Sequence, residues 1–253
     1  MWRGMVARNP PNNGDRFFDM SLSFKSPAEL AERVRIPRAL RRQRGPERVY
    51  TAEEIGKLIS NADSLKFKVA FGLLGLGLRP QEVLVVEWTD VKSDWTALHI
   101  QRAVTFALGP GETQRLAKIK DVKSRAGQRW LPISPALAIV LKKWRLQCPA
   151  TELGLILPSD TGGILHPRTL YDALKRAQQA TAVRTLDLKA FRHTFGTALI
   201  EGGESDAQIA RLMGHADTTV TRRVYAHAFE RAEGSAVAAD FAADVFRNVD
   251  TAS

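Results

Sequence analysis

The sequence predicts an α+β protein that is mostly helical and carries a small antiparallel β-sheet. Helix-capping residues recur before apolar residues spaced for one helix face, and the alternation typical of strands is confined to the middle of the chain. From residue 134 onward the pattern is helical again. With 253 residues and 44% hydrophobic content, the chain can build one large domain, or a domain with an appendage.

The first 46 residues predict no complete domain. Residues 1–25 mix Pro, Asn and Gly without a period, so we expect them to be disordered. Ser26 and Pro27 begin a predicted short helix that runs to about Arg35, and residues 38–48 form an arginine-rich linker. Residues 47–253 form the main predicted domain.

Two helices open this domain. Thr51 and Glu54 are spaced as a capping box for a helix that ends near Ile59, and residues 65–74 supply a second helix. The glycines of residues 72–77 raise the alternative of a nucleotide-binding loop, but their spacing fits neither a dinucleotide fingerprint nor a P-loop. Small residues in a tightly packed helix explain them better.

A small sheet and a series of helices follow. The strands are predicted at Trp95–Phe106, Gln114–Lys120 and Arg129–Ile133, the last two joined by a turn at residues 124–127. Ser134 and Pro135 begin the next helix. Further helices are predicted at Thr169–Gln179, Leu188–Ile200, Ala207–Met213, Thr219–Phe229 and Ala236–Phe246.

Charge and cysteine content narrow the classes of protein. The net charge of +10 and the pI near 10.0 favour a protein that binds a polyanion, with nucleic acid as the first candidate. Charge alone favours this class only weakly over a generically basic soluble protein. Cys148 is the single cysteine, so no internal disulfide forms, as expected in a reducing cytosol. Neither a membrane-spanning stretch nor a secretory signal is predicted, which favours a soluble cytoplasmic protein.

Four side chains suit chemistry on a phosphodiester. Arg79 and Arg192 supply forked donors for phosphate oxygens, His215 can donate to another oxygen, and Tyr225 can form a covalent phosphoester without metal. Glu82 is placed to buttress the Arg79 guanidinium. On the predicted helix, Lys189 and Arg192 share one face, which indicates either an anion between them or an ordinary solvated face.

Two assignments remain open at the level of the residues alone. A general acid for a leaving oxygen could be Lys123, with Lys118 and Lys120 as rivals. A zinc site from His193, His215 and His227 would need spacings that fit no known ligand motif. We therefore expect no metal and no cofactor.

Five strings in order resemble those of tyrosine recombinases of the phage-integrase type, over roughly residues 47–230. They are Leu76–Glu82, Lys123–Pro132, Arg192–Phe195, Leu212–His215 and Tyr225–His227. The resemblance implies that Arg79 and Arg192 clamp the scissile phosphate, with His215 assisting. It also implies that Lys123 is the general acid and Tyr225 the nucleophile, which forms a 3′-phosphotyrosyl intermediate.

The chain departs from the family pattern at two places. Lys189 stands where the family commonly has a histidine; lysine still donates to phosphate but is a poorer base at neutral pH. Full-length members also carry an N-terminal core-binding domain of about a hundred residues, and residues 1–46 are too few to build one. The sequence therefore predicts a remnant of that domain, and weaker DNA binding.

The resemblance also implies the partners and the activity. Expected partners are double-stranded DNA, further copies of the chain in a DNA-bound tetramer docked through the 236–246 helix, and accessory DNA-bending proteins, at the nucleoid. The predicted activity is that of a site-specific DNA recombinase or integrase. Two alternatives are a DNA-binding remnant without catalysis and a type IB topoisomerase-like enzyme that relaxes DNA with little sequence preference.

Overall fold

The computed structural model describes residues 49–108, 115–122 and 127–225. Within these ranges helices predominate and the strands form two short antiparallel ribbons, so the predicted α+β, mostly helical fold class is confirmed. The predicted helix at 26–35, the linker at 38–48, the turn residues 124–126 and the tail helix at 236–246 lie outside the described residues. No helix in the described ranges is long and apolar enough to cross a membrane.

The first two helices form where their caps predict. Helix α1 (Ala52–Ser60) begins with the predicted capping box, in which Thr51 and Glu54 exchange hydrogen bonds between side chain and backbone. Helix α2 (Leu65–Gly75) is buried along nearly its whole length. Gly72 and Gly75 lie inside this buried helix, as predicted, whereas Gly77 lies beyond its end with φ 84° and approaches Phe195 so closely that a Cβ would lie 2.3 Å from the ring. The one-turn helix α3 (Pro80–Val83) follows.

The strands differ from the prediction in two ways. The predicted strand Trp95–Phe106 is interrupted at Gln101, and Trp95 lies in the preceding turn with a positive φ of 63°. The strands predicted to be joined by a turn at 124–127 do not pair with each other. The observed strands are β1 (Ala97–Ile100), β2 (Arg102–Leu108), β3 (Arg115–Asp121) and β4 (Arg129–Pro132), paired β1 with β4 and β2 with β3.

A buried carboxylate lies at the junction where the strand partner changes. Asp90, in a short 3₁₀ turn (Trp88–Asp90), accepts a hydrogen bond from Gln101 Nε2 at 2.7 Å and from Arg102 Nη2 at 2.6 Å. These bonds fix the chain at the junction between β1 and β2. Asp90 therefore holds the point at which the chain leaves the ladder with β4 and enters the ladder with β3, where Arg102 pairs with Asp121.

The later helices agree closely with the prediction. Their ends lie within two residues of the predicted ends, except that the last helix stops at Val224 and leaves Tyr225 at its C-cap instead of continuing toward Phe229. These helices are α4 (Pro135–Gln147), α5 (Pro167–Thr181), α6 (Lys189–Glu201), α7 (Asp206–Met213) and α8 (Thr218–Val224).

The apolar core has two parts. The larger surrounds α2, whose Phe71 stacks on Phe191 of α6. The smaller lies among α6, α7 and α8 and includes Phe195, Met213 and the ring of Tyr225. Helix α6 contributes to both clusters, so its position relative to α2 also fixes Tyr225.

Asp90→Ala is expected to lower the free energy of unfolding by about 2 kcal/mol, because Gln101 and Arg102 lose their buried acceptor. Urea denaturation measures the change. Asp94→Ala is the matched control, since Asp94 is an exposed acid on the neighbouring turn and should have a much smaller effect. Equal losses in the two variants would contradict the proposed role of Asp90.

Candidate active site

The C-terminal end of helix α7 is the centre of the candidate site. Gly214 ends the helix in the left-handed conformation, with φ 62° and ψ 44°, which glycine adopts without strain. The Gly214 and His215 N–H groups donate back to the carbonyls of Arg211 and Ala210, at 3.2 and 2.9 Å. The next three carbonyls of the chain remain to be satisfied by other groups.

Three arginines from separate elements satisfy these carbonyls. Arg129 of β4 donates from Nε to the Leu212 carbonyl at 2.8 Å, and Arg192 of α6 donates to the Met213 carbonyl. Arg79, before α3, donates from Nη2 to the Gly214 carbonyl at 3.1 Å. Cations are favoured here because a helix C-terminus carries partial negative charge. The end of α7 thereby gathers three guanidinium groups.

Glu82 holds two of these arginines in place. Its carboxylate accepts a bond from Arg79 Nη1 at 2.8 Å and two bonds from Arg129, at 3.1 and 2.8 Å. Burial raises the pKa of Glu82, but the hydrogen bonds and charge of Arg129, with the charge of Arg79, lower it to about 2. Glu82 is therefore ionised at neutral pH, and the predicted buttress of Arg79 is present.

Arg192 is buried close to other charged groups of the site. Its Nη1 donates to the Gly77 carbonyl at 2.6 Å. Burial, followed by the charges of Arg79 and Arg129, lowers the pKa of Arg192 to about 9, so it is still charged at neutral pH. Lys189 is exposed at the start of the same helix, so the two cations do not share one environment. The backbone carbonyls of Gly77 and Met213 accept from Arg192.

His215 lies between Arg192 and helix α8. Its Nε2 is 3.2 Å from Arg192 Nη2, and its Nδ1 is 2.8 Å from the hydroxyl of Thr221. Burial, followed by the charges of Arg192, Arg79 and Arg129, lowers the pKa of His215 to about 4. The imidazole is therefore neutral at neutral pH and carries one ring proton.

Tyr225 packs closely against helix α6. A Cβ at Gly196 would lie 2.4 Å from Tyr225 Cζ, so only glycine permits this approach. The Tyr225 hydroxyl donates to the backbone carbonyl of Arg192 at 3.3 Å. Burial raises the pKa of Tyr225 to about 12, against the opposing charges of Arg192 and Arg79, so the phenol is protonated at neutral pH.

The structure brings four of the six predicted site residues together: Arg79, Arg192, His215 and Tyr225. Lys189 begins α6, one turn before Arg192, with an exposed side chain. Lys123 lies outside the described residues. Its rivals Lys118 and Lys120 are exposed on β3.

Sequence reasoning missed two residues of this site, Arg129 and Thr221. Arg129 could have been found from the sequence, because it alternates with Leu131 and Ile133, which both face the core. A charged residue on such a face indicates a buried partner. No feature of the sequence indicates Thr221, since a threonine inside a short helix predicts no contact with a histidine six residues earlier.

Solved structures with the same fold include two recombination proteins. "Crystal structure of XerA recombinase" has a TM-score of 0.57 and 16% identity, covering 81% of this chain and 68% of that one. The Tn1549 transposon integrase in complex with transposon right end DNA has a TM-score of 0.59 and 20% identity, covering 76% and 66%. These likenesses concern the fold.

The chain belongs to the phage integrase family, whose pattern it matches over residues 48–231. This confirms the resemblance predicted from the five strings. Curated relatives include a "Tyrosine recombinase XerC-like" protein of Caldanaerobacter subterraneus subsp. tengcongensis, 24% identical over 74% of this chain and 52% of the relative. "Tyrosine recombinase XerD" of Caulobacter vibrioides is 28% identical over 78% and 62%. The chain thus spans about half to three-fifths of these relatives' length.

Glu82→Gln is expected to lower the free energy of unfolding at neutral pH by about 3 kcal/mol, because the buried Arg129 loses its charge partner. The folded-state pKa of Glu82 lies below the ordinary value of 4.5, so its stabilisation is present above that pH and is lost as the pH falls toward 2. Urea denaturation at about pH 7 and about pH 3 should show the deficit shrinking at the lower pH.

The exposed Glu53→Gln variant serves as the control for this experiment, with little change expected at either pH. A deficit of the same size at both pH values would show that the charge of Glu82 does not stabilise the fold.

Proposed function

We propose that this protein is a site-specific DNA recombinase that breaks and rejoins DNA strands through a covalent 3′-phosphotyrosyl intermediate. The observation that carries the proposal is the convergence of Arg79, Arg192 and His215 with the phenol of Tyr225, from segments far apart in sequence. Three guanidinium groups against one carboxylate leave this site positively charged, which suits a phosphodiester. Family membership supports the same activity.

In the proposed reaction, the Tyr225 oxygen attacks the phosphorus and forms a P–O bond, while the bond from phosphorus to the 5′ oxygen breaks. The 3′ phosphate remains on the tyrosine and the 5′ oxygen leaves as a hydroxyl after it receives a proton. Attack by the 5′ hydroxyl of another strand reverses the step and releases Tyr225. The bond energy is conserved in the phosphotyrosine, so rejoining requires no cofactor.

The proposed roles follow from position and charge. Arg79 and Arg192 stabilise the negative charge that develops on the non-bridging oxygens, and each such donor contributes about 10² to 10³ in rate by analogy. Lys189, exposed one turn before Arg192, is a further phosphate donor. In the proposed attack the Tyr225 hydroxyl leaves the Arg192 carbonyl, and its approach to the phosphate-bound cations favours transfer of its proton to solvent water.

The proposed partner is double-stranded DNA, in the cytoplasm at the nucleoid. The net charge of +10 supports binding to the phosphate backbone, and DNA is present in the structures of the Tn1549 integrase and of XerH bound to its difH substrate. Assembly of four copies on DNA, with accessory DNA-bending proteins, is part of the proposal because recombination exchanges strands between two duplexes.

The proposal is tested with a pool of nicked DNA duplexes of randomised sequence, in which cleavage beside the nick releases a short fragment and traps the intermediate. Wild-type protein is expected to become covalently joined to DNA, and Tyr225→Phe is expected to form no adduct, because it lacks the attacking oxygen. Tyr171→Phe is the matched control, since Tyr171 is an exposed tyrosine outside the site. Denaturing gels detect the adduct.

Absence of an adduct with wild-type protein throughout the pool would contradict the proposal and favour a DNA-binding protein without catalysis. Relaxation of a supercoiled plasmid that lacks the selected sequence would instead favour the topoisomerase-like alternative. Recombination between two copies of the selected sequence distinguishes the proposed activity from both.

The proposed general acid is Lys123, and a sulfur substitution tests it. Lys123→Ala should slow adduct formation by about 10² to 10⁴ on ordinary DNA, because the leaving 5′ oxygen is not protonated. On DNA with sulfur at the bridging 5′ position the loss should largely disappear, since a thiolate leaves without a proton. Single-turnover cleavage of both substrates measures the two effects.

Lys118→Ala and Lys120→Ala are the matched controls, since both lysines are exposed on β3. Rescue by sulfur in either of these variants, and not in Lys123→Ala, would reassign the general acid to that lysine.

A further inference from the structure

Thr221 contacts both His215 and Tyr225. Its side chain is fully buried in helix α8, and its hydroxyl lies 2.8 Å from His215 Nδ1. Its backbone carbonyl accepts the N–H of Tyr225 at 3.0 Å. The histidine and the tyrosine are therefore both anchored to Thr221, which is itself too deeply buried to touch a DNA phosphate.

The hydrogen-bond donors around His215 cannot all be satisfied by the protein groups that they contact. Arg192 Nη2 donates to His215 Nε2 at 3.2 Å, so Nε2 is an acceptor and the single ring proton is on Nδ1. Nδ1 then donates to the Thr221 hydroxyl. Among the described residues this ring nitrogen is the only hydrogen-bond partner of that hydroxyl, so the threonine's own proton has no acceptor there.

The other tautomer relieves Thr221 but creates a conflict at Arg192. If the ring proton is on Nε2, the Thr221 hydroxyl can donate to Nδ1 and is satisfied. The Nε2–H group then faces the N–H groups of Arg192, and two donors oppose each other. Either tautomer leaves one donor without an acceptor among these protein groups, which is unfavourable in a partly buried place.

A bound phosphate removes the conflict. Its oxygens accept from both Arg192 Nη2 and His215 Nε2–H, so these two donors no longer oppose each other. The Thr221 hydroxyl then rotates from acceptor to donor and bonds the free lone pair of Nδ1. A hydroxyl can either accept or donate a hydrogen bond. A carbonyl at this place could only accept, so it would hold the proton on Nδ1 and prevent donation from Nε2.

We infer that Thr221 is a positioning residue, whose hydroxyl reverses its hydrogen bond to His215 when an anion binds and so lets Nε2–H donate to the bound phosphate. The inference rests on the proposed function for its catalytic consequence. The change of tautomer itself requires only binding of an anion, and it can be measured without any DNA cleavage.

The direct test is the tautomer of His215 in long-range ¹H–¹⁵N correlation spectra, at neutral pH and with inorganic phosphate as the probe. The chain has five histidines, and His215→Gln identifies the signals of this ring. Wild-type protein is expected to carry the proton on Nδ1 when free and on Nε2 at saturating phosphate. Thr221→Ser, which keeps the hydroxyl, should show the same change. Thr221→Val, of similar shape, removes both the acceptor of Nδ1–H in the free protein and the donor to Nδ1 in the bound one, so the change should be smaller.

The catalytic test is a double-mutant cycle in the covalent-adduct assay. Thr221→Val should slow adduct formation by about tenfold or more in the wild-type background, and Thr221→Ser should restore most of the rate. In the His215→Gln background, Thr221→Val should have little further effect, because Thr221 acts through the histidine. Thr219→Val is the matched control, since its hydroxyl is exposed on the same helix and bonds Asp217 instead.

Two results would overturn the inference. One is a His215 ring that keeps its proton on Nδ1 throughout the phosphate titration. The other is an equal loss from Thr221→Val with and without His215, which would show that the threonine only stabilises the fold. If the tautomer changes as expected but wild-type protein forms no adduct, the inference stands and the proposed strand transfer is wrong.

Discussion

The site depends on the C-terminal end of helix α7, where three consecutive carbonyls each accept a hydrogen bond from a different arginine. A helix end has carbonyls without helical partners, and its partial negative charge favours cations. The left-handed Gly214 turns the chain so that these carbonyls are reachable and His215 follows directly. Without this end, guanidinium groups from β4, α6 and the start of α3 would have no common point of attachment and would repel one another.

The same arrangement places the side chains of the candidate site in hydrogen bonds with one another and with the backbone. Arg192 donates to backbone carbonyls, His215 accepts from Arg192, and the Tyr225 hydroxyl donates to the Arg192 carbonyl. Burial keeps the phenol protonated and the imidazole neutral. In the proposed reaction a phosphate competes for these donors, because the three guanidinium groups exceed the charge of Glu82. The proposed function therefore uses a preorganised positive site, whose hydrogen bonds are exchanged, and not newly created, when the phosphate binds.

Much of the fold could be predicted because its helices are specified locally. The capping box at Thr51, the cap at Ser134 and the stop at Gly214 involve residues within a few positions of one another, and each marks a helix boundary in the structure. The strand prediction was wrong where the outcome depended on a distant partner. Residues 95–106 read as one alternating run, but Asp90 holds the junction at Gln101 and each half pairs with a different strand.

The sequence by itself determined the family, the mostly helical fold and the identity of the groups suited to phosphate chemistry, since these follow from residue type, order and local spacing. Tertiary structure alone decided their environments. It buried Arg192 against the carbonyl of Gly77, 115 residues away, while it left Lys189 exposed on the same helix. It also added Arg129 through Glu82 and Thr221 through His215. Such contacts arise from packing between separate elements, and the local pattern around each residue contains no information about which distant group it will meet.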